Sequence, residues 1–247
     1  MTTVAEAADV QGEAPSRFFT RMFWVFVALG LFTAGISLAG RGFSARIMLG
    51  GNSDSRSVNE IVVANSVFGV PENYIRNATQ RTPGVVERLD LYALWPEMAG
   101  YDRSRHVAFD NQDATKARLI FITLEAQQMS RDMSGRLEPI YRELIDPIAT
   151  PTEIDGLQTY GFRKDRVIFN NELLYVGERT GDRPFVARCI AGAAAADALA
   201  PCERDVYVGD NLAVKYRFPA ALLSDFRNLD QRVLRLVDSF STQDRKG

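Results

Sequence analysis

Cys202-Glu203-Arg204-Asp205-Val206-Tyr207-Val208-Gly209-Asp210-Asn211-Leu212-Ala213-Val214-Lys215-Tyr216-Arg217-Phe218-Pro219 is the stretch that decides how this chain folds. Glu203 to Val208 and Leu212 to Phe218 carry the β pattern, and Gly209-Asp210-Asn211 between them is a turn signal. Strands joined so tightly pair antiparallel. Pro219 suits the first position of a helix. Beyond it Leu222, Phe226, Leu229, Val233, Leu236 and Phe240 recur at steps of four and three, with Asp225, Asn228, Gln231, Arg232 and Arg235 on other faces. This stripe predicts an amphipathic helix docked on the sheet. A short coiled-coil seam or a partner-binding helix is the alternative, but the stripe is shorter than the three to four heptads a coiled coil needs.

Upstream lies another strand, Pro184 to Cys189, and then the alanine-rich loop Ile190 to Pro201. Cys189 and Cys202, the two cysteines of the chain, flank that loop. A pair closing one local loop suits a disulfide in an oxidising compartment, and a loop of this size confers about 3 kcal/mol in the chain-entropy model. Two unpaired thiols in a reducing compartment are the alternative. A metal site is disfavoured by the spacing and by the single histidine, His106.

Further upstream, short β-like segments follow one another: Glu60 to Ala64, Val67 to Val70, Asn73 to Arg76, Val85 to Trp95, Ala117 to Leu124, Thr159 to Arg163 and Glu172 to Glu178. In Val85 to Trp95 the residues Val85, Leu89, Leu91, Ala93 and Trp95 mostly alternate against Arg88, Asp90 and Tyr92, the period of a strand with one buried face. A helix is expected around Leu137 to Ile145, with Leu137, Ile140, Tyr141 and Leu144 on one face. The fold class is therefore α+β: an antiparallel sheet of roughly six to nine strands, covered by an internal helix and a C-terminal amphipathic helix.

At the other end, Met22 to Gly40 is uncharged and bounded by Arg21 and Arg41. Roughly 20 apolar residues cross a bilayer core, so this run predicts a single transmembrane helix. A cleaved signal peptide, with Ser37 and Ala39 as its exit, is the rival reading. The run exceeds the usual apolar region of about 7–15 residues, which favours an uncleaved anchor. Glu6, Asp9 and Glu13 before it, and the aromatic border Phe18, Phe19, Phe23 and Trp24, favour it too. The expected organisation is a disordered cytoplasmic tail over 1–21, a transmembrane helix over 22–40, a flexible spacer over 41–58 and an extracytoplasmic domain over 59–247. Flanking charge leans against that orientation, since Arg17 and Arg21 precede the run and Arg41, Arg46 and Arg56 follow it. The cysteines argue for it.

A net charge of −2, with acidic and basic residues interleaved, gives no basic excess for nucleic acid. No nucleophile elbow, phosphate loop, dinucleotide fingerprint or zinc-protease motif occurs, so no catalytic, cofactor-binding or metal residue is assigned and no cofactor is expected. His106 lies in a charged stretch and reads as a surface residue. Glu97 and Asp102, close to Trp95 and Tyr101, are the remaining enzymatic option, because paired carboxylates can share acid and base roles. Asp110-Asn111-Gln112-Asp113 lacks calcium-loop spacing and reads as a polar loop. Asn77-Ala78-Thr79 matches a glycosylation sequon. Tyr92, Trp95 and Tyr101 are the candidate interaction surface.

Glu87 to Pro96, Cys202 to Val206 and Lys215 to Pro219 resemble stretches of uncharacterised bacterial proteins described only as transmembrane-anchored. The resemblance implies an inner-membrane anchor and a periplasmic domain, and it brings no functional residues. The expected function is a membrane-anchored, non-catalytic interaction module of the bacterial envelope, with an immunity or inhibitor protein as one form. Its expected partners are the bilayer, through residues 22–40, and another envelope protein. The alternative is a membrane-tethered cell-envelope hydrolase using acidic residues.

Overall fold

The structure, a computed structural model, describes residues 16–48, 51–110, 113–148, 150–163, 165, 169, 171–178 and 183–242, without the side chains of 16, 18 and 36–48. It divides into two compact units, Met1–Met48 and Leu49–Gly247. In the first, a single helix runs Ser16–Met48. Among the described residues no helix is long and apolar enough to cross a membrane. This corrects the transmembrane helix expected over 22–40. The uncharged described stretch, Met22 to Gly35, rises only about 20 Å at 1.5 Å per residue, short of a hydrocarbon core of about 30 Å. The side chains of Ile36 to Gly40 lie outside the described residues.

The second unit is built on an eight-stranded sheet in the order β4-β5-β11-β10-β9-β8-β7-β6. Its strands are β4 (Arg88–Leu94), β5 (Leu119–Ala126), β6 (Thr152–Ile154), β7 (Leu157–Gly161), β8 (Glu172–Gly177), β9 (Phe185–Ile190), β10 (Cys202–Val208) and β11 (Leu212–Phe218). All neighbours pair antiparallel. A separate three-stranded sheet joins β1 (Val58–Val63), β2 (Ser66–Pro71) and β3 (Gly84–Val85), with β1 parallel to β3. The hairpin that opened the sequence reading forms in register from Cys202 opposite Phe218 to Val208 opposite Leu212.

Two departures stand out. Asn73 to Arg76 was expected as a strand, yet Glu72–Tyr74 is a single 3-10 turn. The Asn73 side chain donates to the Tyr101 carbonyl at 3.1 Å, and the Asn73 carbonyl accepts from the Tyr101 amide at 2.7 Å. These bonds tie the segment to a distant loop, so its pairing with β4 is limited to one antiparallel bridge, Ile75 to Leu91, with the Arg76 amide donating to the Asp90 carbonyl at 2.9 Å. Leu137 to Ile145 is a π-helical turn over Leu137–Tyr141 followed by Arg142–Leu144, and Leu137, Tyr141 and Ile145 are its buried side. The stretch after residue 50, expected as a free spacer, is held. Asn52 Oδ1 accepts from the Tyr92 hydroxyl at 3.0 Å, and Asp54 pairs with Arg103 at 3.1 Å.

The C-terminal helix, Phe226–Phe240, packs on one face of the sheet through Phe226, Leu229, Val233, Val237 and Phe240, all buried. Leu222 and Leu236 of the expected stripe are partly buried against the same cluster. Contact is closest at Gly177. A Cβ there would meet Leu157 Cδ2 at 2.5 Å and Phe226 Cζ at 2.9 Å. The other face is covered between β7 and β9 by Met133, Leu137, Tyr141 and Ile145, packed on Tyr160, Leu174 and Val186.

Adjacent charges on β10 tie down both layers, since neighbouring strand residues point to opposite faces. Arg204 is fully buried; its Nε donates to Asp230 Oδ1 of the C-terminal helix at 3.1 Å. The Tyr216 hydroxyl donates to the same oxygen at 2.9 Å. Arg204 also donates to the Val186 carbonyl and Ser134 Oγ, and its guanidinium lies over the Phe185 ring at 4.6 Å. Burial pushes the Tyr216 phenol well above its ordinary range, and the Asp230 carboxylate adds to the shift. Asp205, on the opposite face, accepts from Arg136 at 2.6 Å and from the Met133 amide.

Candidate functional site

The sequence places its densest group of aromatic and charged residues between Trp95 and Arg118, and the structure makes this one excursion between β4 and β5. Its ends meet where the Trp95 amide donates to the Arg118 carbonyl at 2.9 Å. Leu94 and Ala99 exchange backbone bonds, closing a tight first loop. Gly100 is required just beyond. A Cβ there would stand 2.8 Å from the Asn73 carbonyl, a backbone atom that cannot step aside. Asp102 then starts a short turn by accepting from the Ser104 amide at 2.9 Å and hydroxyl at 2.6 Å. Those bonds hold its carboxyl below the usual range. Asp113 does the same for Thr115. A carboxylate so held favours its charged form and is a cap rather than a proton donor.

The three aromatic residues expected at the surface are buried. Tyr92 is 3% exposed, Tyr101 1% and Trp95 9%. Phe109 packs edge-on against both tyrosines, at 5.1 and 5.2 Å between ring centres. The aromatic group is thus a floor that holds the excursion down. Burial raises the Tyr92 phenol to about 12 and pushes Tyr101 upward as well. Trp95 lies under the Arg232 guanidinium at 5.4 Å, and Arg232 donates to the Pro96 carbonyl at 2.8 Å. The excursion is in this way linked to the C-terminal helix.

An open cleft of about 1060 Å³ lies between the excursion and the turn after β11, which contributes Ala221 and Leu222. Arg105, Lys116 and Arg118 line it, against one carboxylate, Glu97. Lys116 pairs at 3.4 Å with Asp113, with both side chains well exposed, while Arg105 and Arg118 make no ion pair among the described residues. Val107 lines the cleft at 71% exposure. Glu97 and Asp102, proposed from sequence as an acidic pair, line different cavities; Asp102 belongs to a smaller one with Asn73 and Tyr101. His106 is exposed, with Nδ1 3.0 Å from the Arg103 carbonyl. Asn111 and Gln112 lie outside the described residues. Asn77 of the sequon accepts from the Thr79 amide at 3.1 Å, so that motif makes a local turn.

Arg105, Lys116 and Arg118 escaped the sequence reading because each is flanked by ordinary surface residues. Only closure of the excursion brings them to one cleft. The cysteine pair did show. Cys189 and Cys202 face each other across β9 and β10 and form a disulfide, with Cα atoms 3.9 Å apart and both side chains buried.

No family model matches this chain, and no curated protein does. Two solved structures are similar to it. One is Smlt3025, an immunity protein of the Stenotrophomonas maltophilia type IV secretion system, at 12% identity and a TM-score of 0.48, covering 76% of this chain and 95% of that one. The other is the Neisseria meningitidis iron-regulated outer membrane lipoprotein FrpD, at 10% identity and a TM-score of 0.47, covering 77% of this chain and 97% of that one. Likeness at this level carries no argument about function.

Proposed function

We propose that the domain from Leu49 onward is an extracytoplasmic, non-catalytic interaction module that binds another protein of the bacterial envelope. The supporting observation is the open cleft beside Trp95. It offers an exposed apolar side chain and two arginines, Arg105 and Arg118, that make no ion pair among the described residues, while the candidate acidic pair is divided between two cavities. A wide, mixed-polarity surface of this sort suits recognition of a protein, where an apolar centre and a charged rim act together. The buried disulfide supports an oxidising compartment. An immunity or inhibitor protein, which captures one incoming partner, is the specific form of this reading.

In-cell crosslinking of the full-length protein tests it. A discrete adduct with one envelope protein is the expected result. Crosslinking that yields monomer alone, across reagents of different reach, would remove the module reading.

A further inference from the structure

The cleft beside Trp95 has a chemistry that selects its occupant. We infer that it binds an acidic segment of a partner protein that also carries an apolar side chain; this deepens the interaction-module reading and rests on it. Charge is the first argument. Arg105, Lys116 and Arg118 meet a single carboxylate, Glu97, in a chain whose net charge is −2. The local excess therefore runs against the balance of the whole molecule. Among the described residues neither Arg105 nor Arg118 makes an ion pair, Arg105 acting on Asp102 only at longer range, so a bound acidic group breaks no ion pair of theirs there. Cations held on a cleft wall near apolar surface attract an acidic partner more than the same cations spread over a flat face.

The second argument is the apolar part of the lining. Val107 is 71% exposed, and Ala108, Ala117, Ala221 and Leu222 line the same cleft. These side chains have nothing to offer a free phosphate or a sulfate. They suit one aliphatic side chain next to the acidic ones. Burying Val107 against it contributes through the apolar area removed from water.

The third argument separates a protein segment from a nucleic acid. Binding of single strands needs aromatic faces open to stacking. The one aromatic in the lining, Trp95, is 9% exposed and lies under Arg232. Tyr92 and Tyr101 are buried beneath the excursion. The cleft has cations for a polyanion but no open ring for a base.

The test uses the full-length protein and its double variant Arg105→Glu, Arg118→Glu. Both side chains are exposed, so the variant should melt with the wild type. The probes are a short fluorescein-labelled peptide of glutamate and leucine, the same peptide with lysine for glutamate, one with serine for leucine, and labelled oligodeoxythymidine. The glutamate–leucine peptide should bind, and binding should weaken as salt is raised. The double variant should weaken it by about tenfold or more. The serine peptide should bind less tightly, and the lysine peptide should not bind. Undiminished binding of the acidic peptide by the folded double variant would overturn the inference. So would equal binding of the serine peptide, or tighter binding of oligodeoxythymidine. The crosslinked adduct distinguishes the two levels of the argument. If the double variant still gives the wild-type adduct, the module reading stands and the cleft is not its site.

Discussion

Removing one member of the pair buried between β10 and the C-terminal helix should cost as much as the largest apolar truncation nearby. In Asp230→Ala, the Arg204 guanidinium stays where it is, fully buried, without its hydrogen-bonded counter-charge and with the more distant Asp132 still acting on it. Tyr216 loses its acceptor at the same time. Breaking a buried ion pair from one side costs roughly 3–5 kcal/mol, and an orphaned hydroxyl about 1–3 kcal/mol, although the two losses share one site and do not add. A loss of about 3–5 kcal/mol is a fifth or more of the roughly 5–15 kcal/mol that holds a typical domain folded. With a urea slope of about 1–3 kcal/mol/M, the midpoint should fall by roughly 1–2 M or more. Equilibrium urea unfolding, followed by far-ultraviolet dichroism and tryptophan fluorescence together, measures it. The triple variant Arg204→Met, Asp230→Leu, Tyr216→Phe should recover most of the loss, since well-packed apolar groups replace a buried pair at little cost. A fall under about 1 kcal/mol in Asp230→Ala would refute the reasoning. A triple variant as unstable as the single one would show that the charges contribute more than they cost to bury.

The remaining expectations concern the core, the disulfide and alkali. Phe226→Ala should destabilise by about 3–5 kcal/mol, and Gly177→Ala by about 1–3 kcal/mol through overpacking against Leu157 and that same ring, both read from urea midpoints. In the background of Phe226→Ala the Gly177→Ala penalty should shrink, because one of the two side chains it strikes is gone and Leu157 gains room to shift. Replacing Cys189 and Cys202 together with serine should cost about 2–4 kcal/mol, and peptide mapping without reductant should find the two cysteine peptides linked in the native protein. Stability should fall as pH rises above about 10. The Tyr92, Tyr101, Tyr141, Tyr175, Tyr207 and Tyr216 phenols are all pushed upward, chiefly by burial. The folded state then keeps protons that the unfolded chain releases near pH 10. The contribution is intact below that pH and is lost between it and about 12 for Tyr92. Tyrosinate absorbance read alongside dichroism should show these phenols ionising only as the fold is lost.

The strands were readable because one face of each is apolar and the alternation survives any context. The β10–β11 hairpin needed nothing more than its own residues. β6 escaped notice because all three of its residues are exposed, so no alternation marks it. Asp155 and Gly156, both at positive φ, turn the chain into β7. Asn73 to Arg76 looked like a strand because its composition suits one, and the bonds that forbid it come from Tyr101. The helix stripe was read correctly in direction, yet Asp230 on it is 2% exposed. A polar residue in sequence points outward unless its partner is known, and that partner lies on β10. Tyr92, Trp95 and Tyr101 show the same ambiguity from the other side. Aromatic residues in a row read alike whether they face a partner or their own core; Phe109 decides for the two tyrosines and Arg232 lies over Trp95. The cysteines were legible because their separation and flanking strands allow one local geometry.

The order of strands in the large sheet has a consequence for how this protein is made. β4 and β5 are the first two strands of that sheet to be synthesised, and β5 finds its second neighbour only in β11. Everything from residue 127 to 211 must be produced before that neighbour exists. Until then the inner edge of β5, rich in isoleucine and leucine, is an open template for any other extended chain. The C-terminal helix that covers the same face comes later still. A ribosome stalled before Leu212, or a protease cut just ahead of it, would not leave a smaller working domain. It would leave two half-sheets, each with a hydrophobic border. The stretch from Leu212 to Phe218 acts as the keystone of the fold, because it alone joins β5 to β10.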